Sequence, residues 1–469
     1  MEQINLLDSK NIKTVHFIGI GGISMSGLAE ILKNIGYTVS GSDMKASNMT
    51  EKLERDGIKI HIGHSEENID NCDLVVYTAA VKENNSELVK ARQLGITTIE
   101  RAVLLGQIMK KYPFSLAISG THGKTTTTSM VSMIMLESNL DPTIHIGGEL
   151  DAIGGNTRIG GNKYFITEAC EYVESFLKFY PTLAIVLNIE EDHLDYFKDI
   201  NHIKQAFLKF MNLVPKDGYI IACADDENVS SILSQISTNV VTYGINSTNA
   251  TWTARNIEFD DSGCASYDLI KSGQKVAAIK LRVPGIHNVS NSIAAAAACY
   301  TLGCDIKDIE HGLEAFTGTH RRFEVKGVVE NIKVVDDYAH HPSEIKATLK
   351  AAKSTNHTKI WCVFQPHTYT RTKLLLDEFS EAFSDADEVI ISDIYSAREI
   401  DTGEIHSNVL SQRINAKSNN SIYKPDFNAI VEYLKENASS GDLVITMGAG
   451  DVYKVGEMFL KEKDIAPIS

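Results

Sequence analysis

The chain has 469 residues, 43% of them hydrophobic and 23% charged, and a formal net charge of −16. That length suggests about three domains at ~100–200 residues each, and the acidic balance argues against a broad nucleic-acid surface. No stretch approaches the ~20 apolar residues of a membrane span, and Met1 to Lys10 lack the basic start and apolar core of a signal peptide. The seven cysteines form no CxxC pair, so reduced thiols in a cytoplasmic protein without membrane insertion are expected.

Thr14 to Gly19 reads as a buried strand, and Gly19-Ile-Gly-Gly-Ile-Ser-Met-Ser-Gly27 turns into a helix with Leu28, Ile31 and Leu32 on one face. Gly19 and Gly21 fit a dinucleotide-fold fingerprint; the third position is Ser24, with glycine displaced to Gly22 and Gly27, so the match is incomplete. A second strand from Tyr37 ends at Ser42-Asp43, where a carboxylate suits a ribose. Leu74 to Tyr77 ends in Thr78-Ala-Ala80, a small-residue loop at a strand's carboxyl end. The cluster His61, His64 and Glu66 to Asp70 reads as a solvated loop. A helix through Met109 then leads to the next strand, and the first boundary falls near 107.

Residues 116–128, Leu-Ala-Ile-Ser-Gly-Thr-His-Gly-Lys-Thr-Thr-Thr-Thr, have the order strand, glycine turn, Lys-Thr, helix that defines a phosphate-binding loop. Backbone N–H groups from Gly120 to Gly123 suit phosphate oxygens, Lys124 adds charge, and Thr125 offers a hydroxyl to Mg²⁺. Ile118 stands where the usual spacing has glycine, which points away from typical GTPases and motors. Met130, Val131, Ile134 and Met135 recur at helical spacing as core. Two strands then end in acids: Tyr164-Phe-Ile-Thr-Glu-Ala-Cys-Glu171, and Leu183 to Leu187 before Asn188-Ile-Glu-Glu-Asp-His193-Leu-Asp195. Carboxylates at two successive strand ends beside a phosphate loop favour a metal site. Strands follow at 219–223, 240–243 and 251–259. The five alanines before Cys299 predict a helix from about Asn288 to Gly303, with His287, Asn288 and Asn291 on its first turn.

Thr317-Gly-Thr-His-Arg321-Arg322-Phe-Glu reads as a linker, placing the second boundary near 319. Ile332 to Val335 delivers Asp336-Asp-Tyr-Ala-His-His-Pro342, with a helix entered through the proline. Ile360 to Phe364 runs into Gln365-Pro-His367-Thr-Tyr-Thr-Arg371, Val389 to Ser392 into Asp393, and Leu443 to Met447 into Gly448-Ala-Gly-Asp451. Four such units predict a second doubly wound α/β domain.

Taken in order, GIGGISMSGLAE, SGSD, SGTHGKTTTT, TEACE, NIEEDHLD, PGIHNVSN, HRRFE, DDYAHHP, FQPHTYTRT and GAGD resemble the Mur ligase family, alanine-adding branch, over essentially the whole chain. The resemblance implies an α/β protein of three domains: a Rossmann-like UDP-sugar domain over 1–107, a P-loop ATPase-type domain over 108–319, and a Rossmann-like amino-acid domain over 320–469. It implies that ATP phosphorylates the lactyl carboxylate of UDP-N-acetylmuramate and that the amine of L-alanine attacks the acyl phosphate. A monomer or homodimer is expected.

By the same resemblance, Gly120, Thr121, His122, Gly123, Lys124, Thr125 and Thr126 hold the ATP phosphates. Asn291 meets adenine, Asp337 the ribose and Arg322 the γ-phosphate side, with His287 and Asn288 lining the same site. Thr125 and Glu168 take the first Mg²⁺, and Glu168 with His193 the second. Gly19, Gly21 and Gly22 bind the diphosphate, with Asp43, His64 and Thr78 around uridine and sugar. Arg371 pairs with the alanine carboxylate, with His367 and Tyr338 nearby. His340 and His341 are the proton-relay candidates, and His340 joins Lys124, His193 and Arg371 in the catalytic set. Two departures stand out. Phe207 lies near the place of the carbamylated lysine of relatives that add later amino acids, and TEACEY replaces the more frequent EADES form, which leaves Glu171 without a role. The rival readings are a recycling ligase attaching a tripeptide to the same sugar nucleotide, a nucleotide-dependent oxidoreductase, and a nucleotide-binding switch.

Overall fold

The computed structural model describes residues 6–9, 11–397 and 399–461; most of Met1 to Lys10 and the end of the C-terminal segment lie outside the described residues. The chain forms two compact units, Met1–Ile189 with Lys204–Val241 and Thr301–Gly303, and Glu190–Ile203 with Thr242–Tyr300 and Cys304–Ser469.

In the first unit, β1 (Thr14–Ile18), β2 (Thr38–Asp43), β3 (Lys59–Ile62), β4 (Leu74–Tyr77) and β5 (Thr97–Glu100) make a parallel sheet in the order β3-β2-β1-β4-β5. Its helices are α1 (Ile23–Asn34), α2 (Asn48–Arg55), α3 (Ser86–Gln93) and α4 (Arg101–Met109). In α1 the buried positions include Met25, Leu28, Ala29, Ile31 and Leu32, the stripe that periodicity predicts. The His61 to Asp70 segment is not a simple solvated loop. His61 lies in β3, Glu66–Ile69 is a 3₁₀ turn, and His64 reaches the buried Glu87 at 2.9 Å.

The same unit continues with β6 (Phe114–Ser119), β7 (Thr143–Leu150), β8 (Gly155–Arg158), β9 (Tyr164–Glu168), β10 (Leu183–Val186) and β11 (Tyr219–Cys223), and with α5 (Lys124–Glu137), α6 (Ile200–Met211) from Lys204 onward, and α7 (Glu227–Ile232). Strands β11, β10, β6, β9 and β7 run parallel in that order, with β8 antiparallel to β7. Because β9 and β10 flank β6, their acidic carboxyl ends fall beside the loop that follows β6. Phe207 is fully buried, edge-on to Phe176 at 5.3 Å, so the position is apolar core.

β12 (Asn239–Tyr243), which crosses from the first unit's residues into the second's, leads to β13 (Trp252–Phe259), β14 (Cys264–Lys271) and β15 (Gln274–Pro284), and these last three form an antiparallel run in the second unit. The sequence reading found only the first two of these four. In β15 the alternating burial of Ala277, Ile279, Leu281 and Val283 is the mark of a half-buried strand. Next come α8 (Ile286–Thr301), starting two residues before Asn288, and α9 (Ile306–Ala315).

A six-stranded sheet completes the second unit. It is built from β16 (Glu324–Val329), β17 (Ile332–Asp337), β18 (Ile360–Phe364), β19 (Glu388–Ile391), β20 (Ser421–Tyr423) and β21 (Leu443–Met447), in the order β16-β17-β21-β18-β19-β20. All are parallel except β16. Side chains alternate between two cores, with Val335, Cys362, Phe364, Ile391 and Ile445 in one and Val334, Trp361, Val363, Ile390 and Val444 in the other. The two strands that sequence reading missed here, β16 and β20, are the sheet's edges. Connecting helices are α10 (Pro342–Lys353), α11 (Tyr369–Leu374), α12 (Leu376–Ser380), α13 (Ser407–Asn415), α14 (Phe427–Asn437) and α15 (Tyr453–Lys461).

Candidate active site

The loop between β6 and α5 turns into its helix through Gly123 at φ +81°, a left-handed conformation that a side chain would strain. Asn188, at the end of β10, holds the loop from outside. Its carbonyl accepts from Thr121 N at 3.1 Å and its Oδ1 from His122 N at 2.8 Å. Lys124 Nζ lies over the loop, donating to the carbonyls of Gly120 and Thr121 and to Glu171 Oε2 at 3.0 Å. Burial alone would lower the ammonium's proton affinity; the Glu171 carboxylate overrides it and holds Lys124 above its usual range. Glu171, left without a role by its sequence context, is therefore the counterion of the loop lysine. Thr126 sits half-buried in the first turn of α5.

Thr125 Oγ1 donates to Glu168 Oε2 at 3.1 Å, while Glu168 Oε1 accepts from Gly147 N at 2.6 Å. A hydroxyl and a carboxylate converging beside a phosphate loop form an all-oxygen donor set of the kind Mg²⁺ takes together with phosphate oxygens. Glu168 and His193, predicted to share a second metal, fall in different units.

At the N-terminal sheet, Gly19 N and Ile20 N donate to Ser42 O at 2.8 and 2.9 Å, and Gly21 N to Asp43 Oδ2 at 2.9 Å. The carboxylate expected to meet a ribose thus also fixes the glycine loop. Gly22 caps α1 through its backbone. Thr78 follows β4 and its hydroxyl accepts from Ala80 N at 3.1 Å. Behind them, the fully buried Glu87 accepts from Ser42 Oγ at 2.6 Å and Asn68 Nδ2 at 2.6 Å, meets His64 Nδ1 at 2.9 Å, and lies 3.7 Å from His16 Nε2. Burial opposes its ionisation, but the His16 ring nearby and hydrogen bonds from Ser42 and Asn68 bring the carboxyl down to about 2.

In the second unit, the loop after β18 meets the segment 190–203. Arg371 Nε and Nη2 both donate to Asp192 Oδ1, at 3.1 and 2.9 Å, and Nη1 lies 3.2 Å from His367 Nδ1. The guanidinium fork predicted to face the alanine carboxylate is thus occupied on one edge by Asp192, a residue the sequence reading passed over between Glu191 and His193. Burial opposes ionisation of Asp192, yet His193 and Arg371 hold its carboxyl well below the usual range. His193 itself sits at φ +54°, and Thr368, between His367 and Arg371, at φ +67°. The latter is a strained conformation for a β-branched residue.

A guanidinium only donates, so His367 Nδ1 accepts and the ring proton lies on Nε2. Burial, then Arg371, pushes His367 to about 4. His340 Nδ1 faces the Tyr338 carbonyl at 3.0 Å, which puts its proton on Nδ1 and leaves a lone pair on Nε2; burial takes this imidazole down to about 3. The rings of His340 and His367 lie 5.7 Å apart. His341 is committed at both nitrogens: Nδ1 accepts from Ser343 N at 3.3 Å as the cap of α10, and Nε2 reaches the Glu191 carbonyl at 3.0 Å.

The paired arginines and aspartates of this unit also separate. Arg321 bonds Asp336 Oδ2 at 2.9 Å and Gly448 O at 2.7 Å, whereas Arg322 lies 3.8 Å from Glu344 and stacks over Tyr338 at 5.2 Å. Asp337 accepts Phe323 N at 2.8 Å and Ala339 N at 2.7 Å, and burial raises its carboxyl to about 6 against the Arg322 charge. Asn288 Nδ2 donates to Pro284 O at 2.8 Å and its Oδ1 accepts from Asn291 Nδ2 at 3.1 Å. His287, beside them, is pushed to about 4 by burial and then by Arg322. Asp192, Asn188 and Glu87 were missed because each signals only through partners far away in sequence.

This arrangement, with a phosphate loop and oxygen pair on one sheet and a cation-histidine cluster at the end of another, is that of an ATP-using ligase. Three family models match in order: Mur ligase family, catalytic domain, over residues 14–113, Mur ligase middle domain over 118–299, and Mur ligase, glutamate ligase domain, over 321–450. The chain belongs to the Mur ligase family, ATP-dependent enzymes that form carbon–nitrogen bonds. It is 69% identical over its full length to the full-length UDP-N-acetylmuramate–L-alanine ligase of Acetivibrio thermocellus. It is 54% identical to that of Caldanaerobacter subterraneus, covering 97% of this chain and 99% of the relative. Among solved structures, the UDP-N-acetylmuramate-alanine ligase of Thermotoga maritima superposes with a TM-score of 0.80 at 30% identity, over 96% of this chain and 98% of that one. A murein peptide ligase from Psychrobacter arcticus gives 0.72 at 26%, over 97% and 100%.

Proposed function

We propose that the chain joins L-alanine to the lactyl carboxylate of UDP-N-acetylmuramate, with ATP converted to ADP and phosphate, in the cytoplasmic assembly of peptidoglycan precursors. The observation that carries this reading is the intact set Lys124, Thr125 and Glu168 in a chain 69% identical, end to end, to an enzyme of that name. Residues 1–107 take the sugar nucleotide, 108–319 the ATP and 320–469 the amino acid.

The loop from Gly120 to Thr126 binds the ATP phosphates, and Lys124 exchanges its carbonyl partners for phosphate oxygens while keeping Glu171. Thr125 and Glu168 would hold Mg²⁺, which would supply charge that neutralises the phosphates. The family resemblance assigns Arg322 to the γ-phosphate side and His287, Asn288, Asn291 and Asp337 to the nucleoside. Gly19, Gly21, Gly22, Asp43, His64 and Thr78 take the UDP-sugar. For alanine, Arg371 is aimed by Asp192, and His367 and Tyr338 complete the pocket. His340 keeps a lone pair on Nε2 and His341 does not, so His340 accepts a hydrogen bond from the incoming amine and orients it. Its low proton affinity makes it an orienting acceptor and a poor store for the proton.

Phosphate release with UDP-N-acetylmuramate and either L-alanine or the cell-wall tripeptide tests the reading. Turnover with alanine alone is expected, and turnover only with the tripeptide would make this a recycling ligase.

A further inference from the structure

Ser24, where the dinucleotide fingerprint has its third glycine, is the centre of a polar chain within the first unit. Arg101 Nη1 donates to Ser24 Oγ at 2.9 Å, Ser24 Oγ lies 2.8 Å from His145 Nε2, and His145 Nδ1 lies 3.1 Å from Thr157 Oγ1. Burial, then Arg101, pushes His145 to about 3, so the ring is neutral. One assignment satisfies every group: Arg101 gives to Ser24, Ser24 to Nε2, and Nδ1–H to Thr157. The helix behind is packed hard, since a Cβ on Gly27 would sit 2.0 Å from Thr157 Oγ1. Asn156 Nδ2 also donates to Ile23 O at 2.8 Å. These neutral contacts already join α1 to β7 and β8.

The charge on Arg101 is not explained by that junction, because a neutral donor would serve Ser24 equally well. Arg101 opens α4 directly after β5, at the carboxyl edge of the parallel sheet, where such sheets place ligands. Its guanidinium carries five N–H donors and, among the described residues, makes the single bond to Ser24 and no ion pair within 4.0 Å. Burial pulls its proton affinity below the usual range, and the Glu168 carboxylate opposes this only from beyond contact distance, while the Cys170 thiol, raised to about 11, is uncharged at neutral pH. A half-buried cation without a counterion is costly, and a ligand can supply one.

We propose that Arg101 is a binding residue for the sugar nucleotide, taking an anionic oxygen group, the diphosphate or the lactyl carboxylate, beside the Gly19 to Gly22 loop. The inference rests on the sugar-nucleotide reading above. Hydrogen bonds to charged groups predict a loss of about 10- to 100-fold in affinity when one is removed. Calorimetric titration of the full chain with UDP, UDP-N-acetylglucosamine and UDP-N-acetylmuramate, in wild type, Arg101→Met and Arg101→Lys, tests it. The methionine variant should lose that factor for UDP-N-acetylmuramate, the lysine variant should recover most of it, and ATP affinity should stay unchanged. A loss shared by all three ligands assigns the diphosphate, and one confined to UDP-N-acetylmuramate assigns the carboxylate. Unchanged affinity in Arg101→Met, or an equal loss for ATP in both variants, overturns the proposal. If wild type binds none of the three ligands, the sugar-nucleotide reading itself fails.

Discussion

Arg371 and Asp192 meet as an ion pair with side chains only 10% and 9% exposed, two guanidinium nitrogens converging on one carboxylate oxygen. Removing one partner of a buried pair strands the other, at a cost of about 3–5 kcal/mol. Arg371→Ala should therefore lower stability as well as raise the alanine concentration needed for turnover, with ATP affinity unaltered. The double variant Arg371→Ala, Asp192→Asn separates the effects, since chemical denaturation should show recovered stability while alanine use stays impaired. Recovery of both would remove Arg371 from alanine binding.

Lys124 is paired with Glu171 at 3.0 Å. Lys124→Ala should abolish ADP formation and leave UDP-sugar binding within a few-fold of wild type, because the loop and the Gly19 to Gly22 segment are separate structures. Glu171→Gln keeps the shape and removes the counterion; it should retain turnover with weaker ATP binding. Joint loss of ATP and UDP-sugar binding in Lys124→Ala would contradict separate sites.

The strands bearing motifs were legible because each is a short apolar run ending in polar residues, as with Leu74 to Tyr77 and Ile360 to Phe364, whose observed limits match the sequence reading. What escaped was edge and hairpin structure. β20 has three residues, and β16 exposes Val325 and Val328, so neither shows a clean apolar run. At the site, residue types were legible and pairings were not. Nothing local in NIEEDHLD distinguishes Asp192, which bonds Arg371, from Glu191, which lends His341 a backbone carbonyl. The choice of Arg322 over Arg321 rests on the resemblance and not on residue type, and the partners of Arg321, Asp336 and Gly448, were not legible locally.

Three imidazoles of the second unit are depressed from the usual 6.5: His287 and His367 to about 4, and His340 to about 3. As pH falls below 6.5 the unfolded chain takes up these protons before the folded one does. The stability they support is intact above 6.5 and drains away towards pH 3–4. Asp337, raised to about 6 from 3.8, works in the opposite sense: its contribution is complete below 3.8 and gone above about 6. Asp336, also raised by burial, works in the same sense as Asp337; three imidazoles outweigh two carboxyls, so urea midpoints should fall steadily from pH 7 to pH 4.5. A midpoint that holds or rises over that interval would show that these rings are not buried neutral in solution.

Glu87 gathers Ser42, His64, Asn68 and His16 beneath the proposed sugar-nucleotide loop while being fully buried itself. Glu87→Ala leaves several polar groups without an acceptor, each worth about 1–3 kcal/mol if buried and unsatisfied. The N-terminal segment should then become the first part to open, seen as faster amide hydrogen exchange in β2 and α3 with β17 and β18 unchanged. Glu87→Gln retains one carbonyl acceptor and should exchange at an intermediate rate. Because Ser42 carries the backbone carbonyl that holds Gly19 and Ile20, the alanine variant should also bind UDP-N-acetylmuramate more weakly while ATP affinity is preserved. Exchange that stays slow in β2, or ATP binding that falls in step, would show that Glu87 does not organise this site.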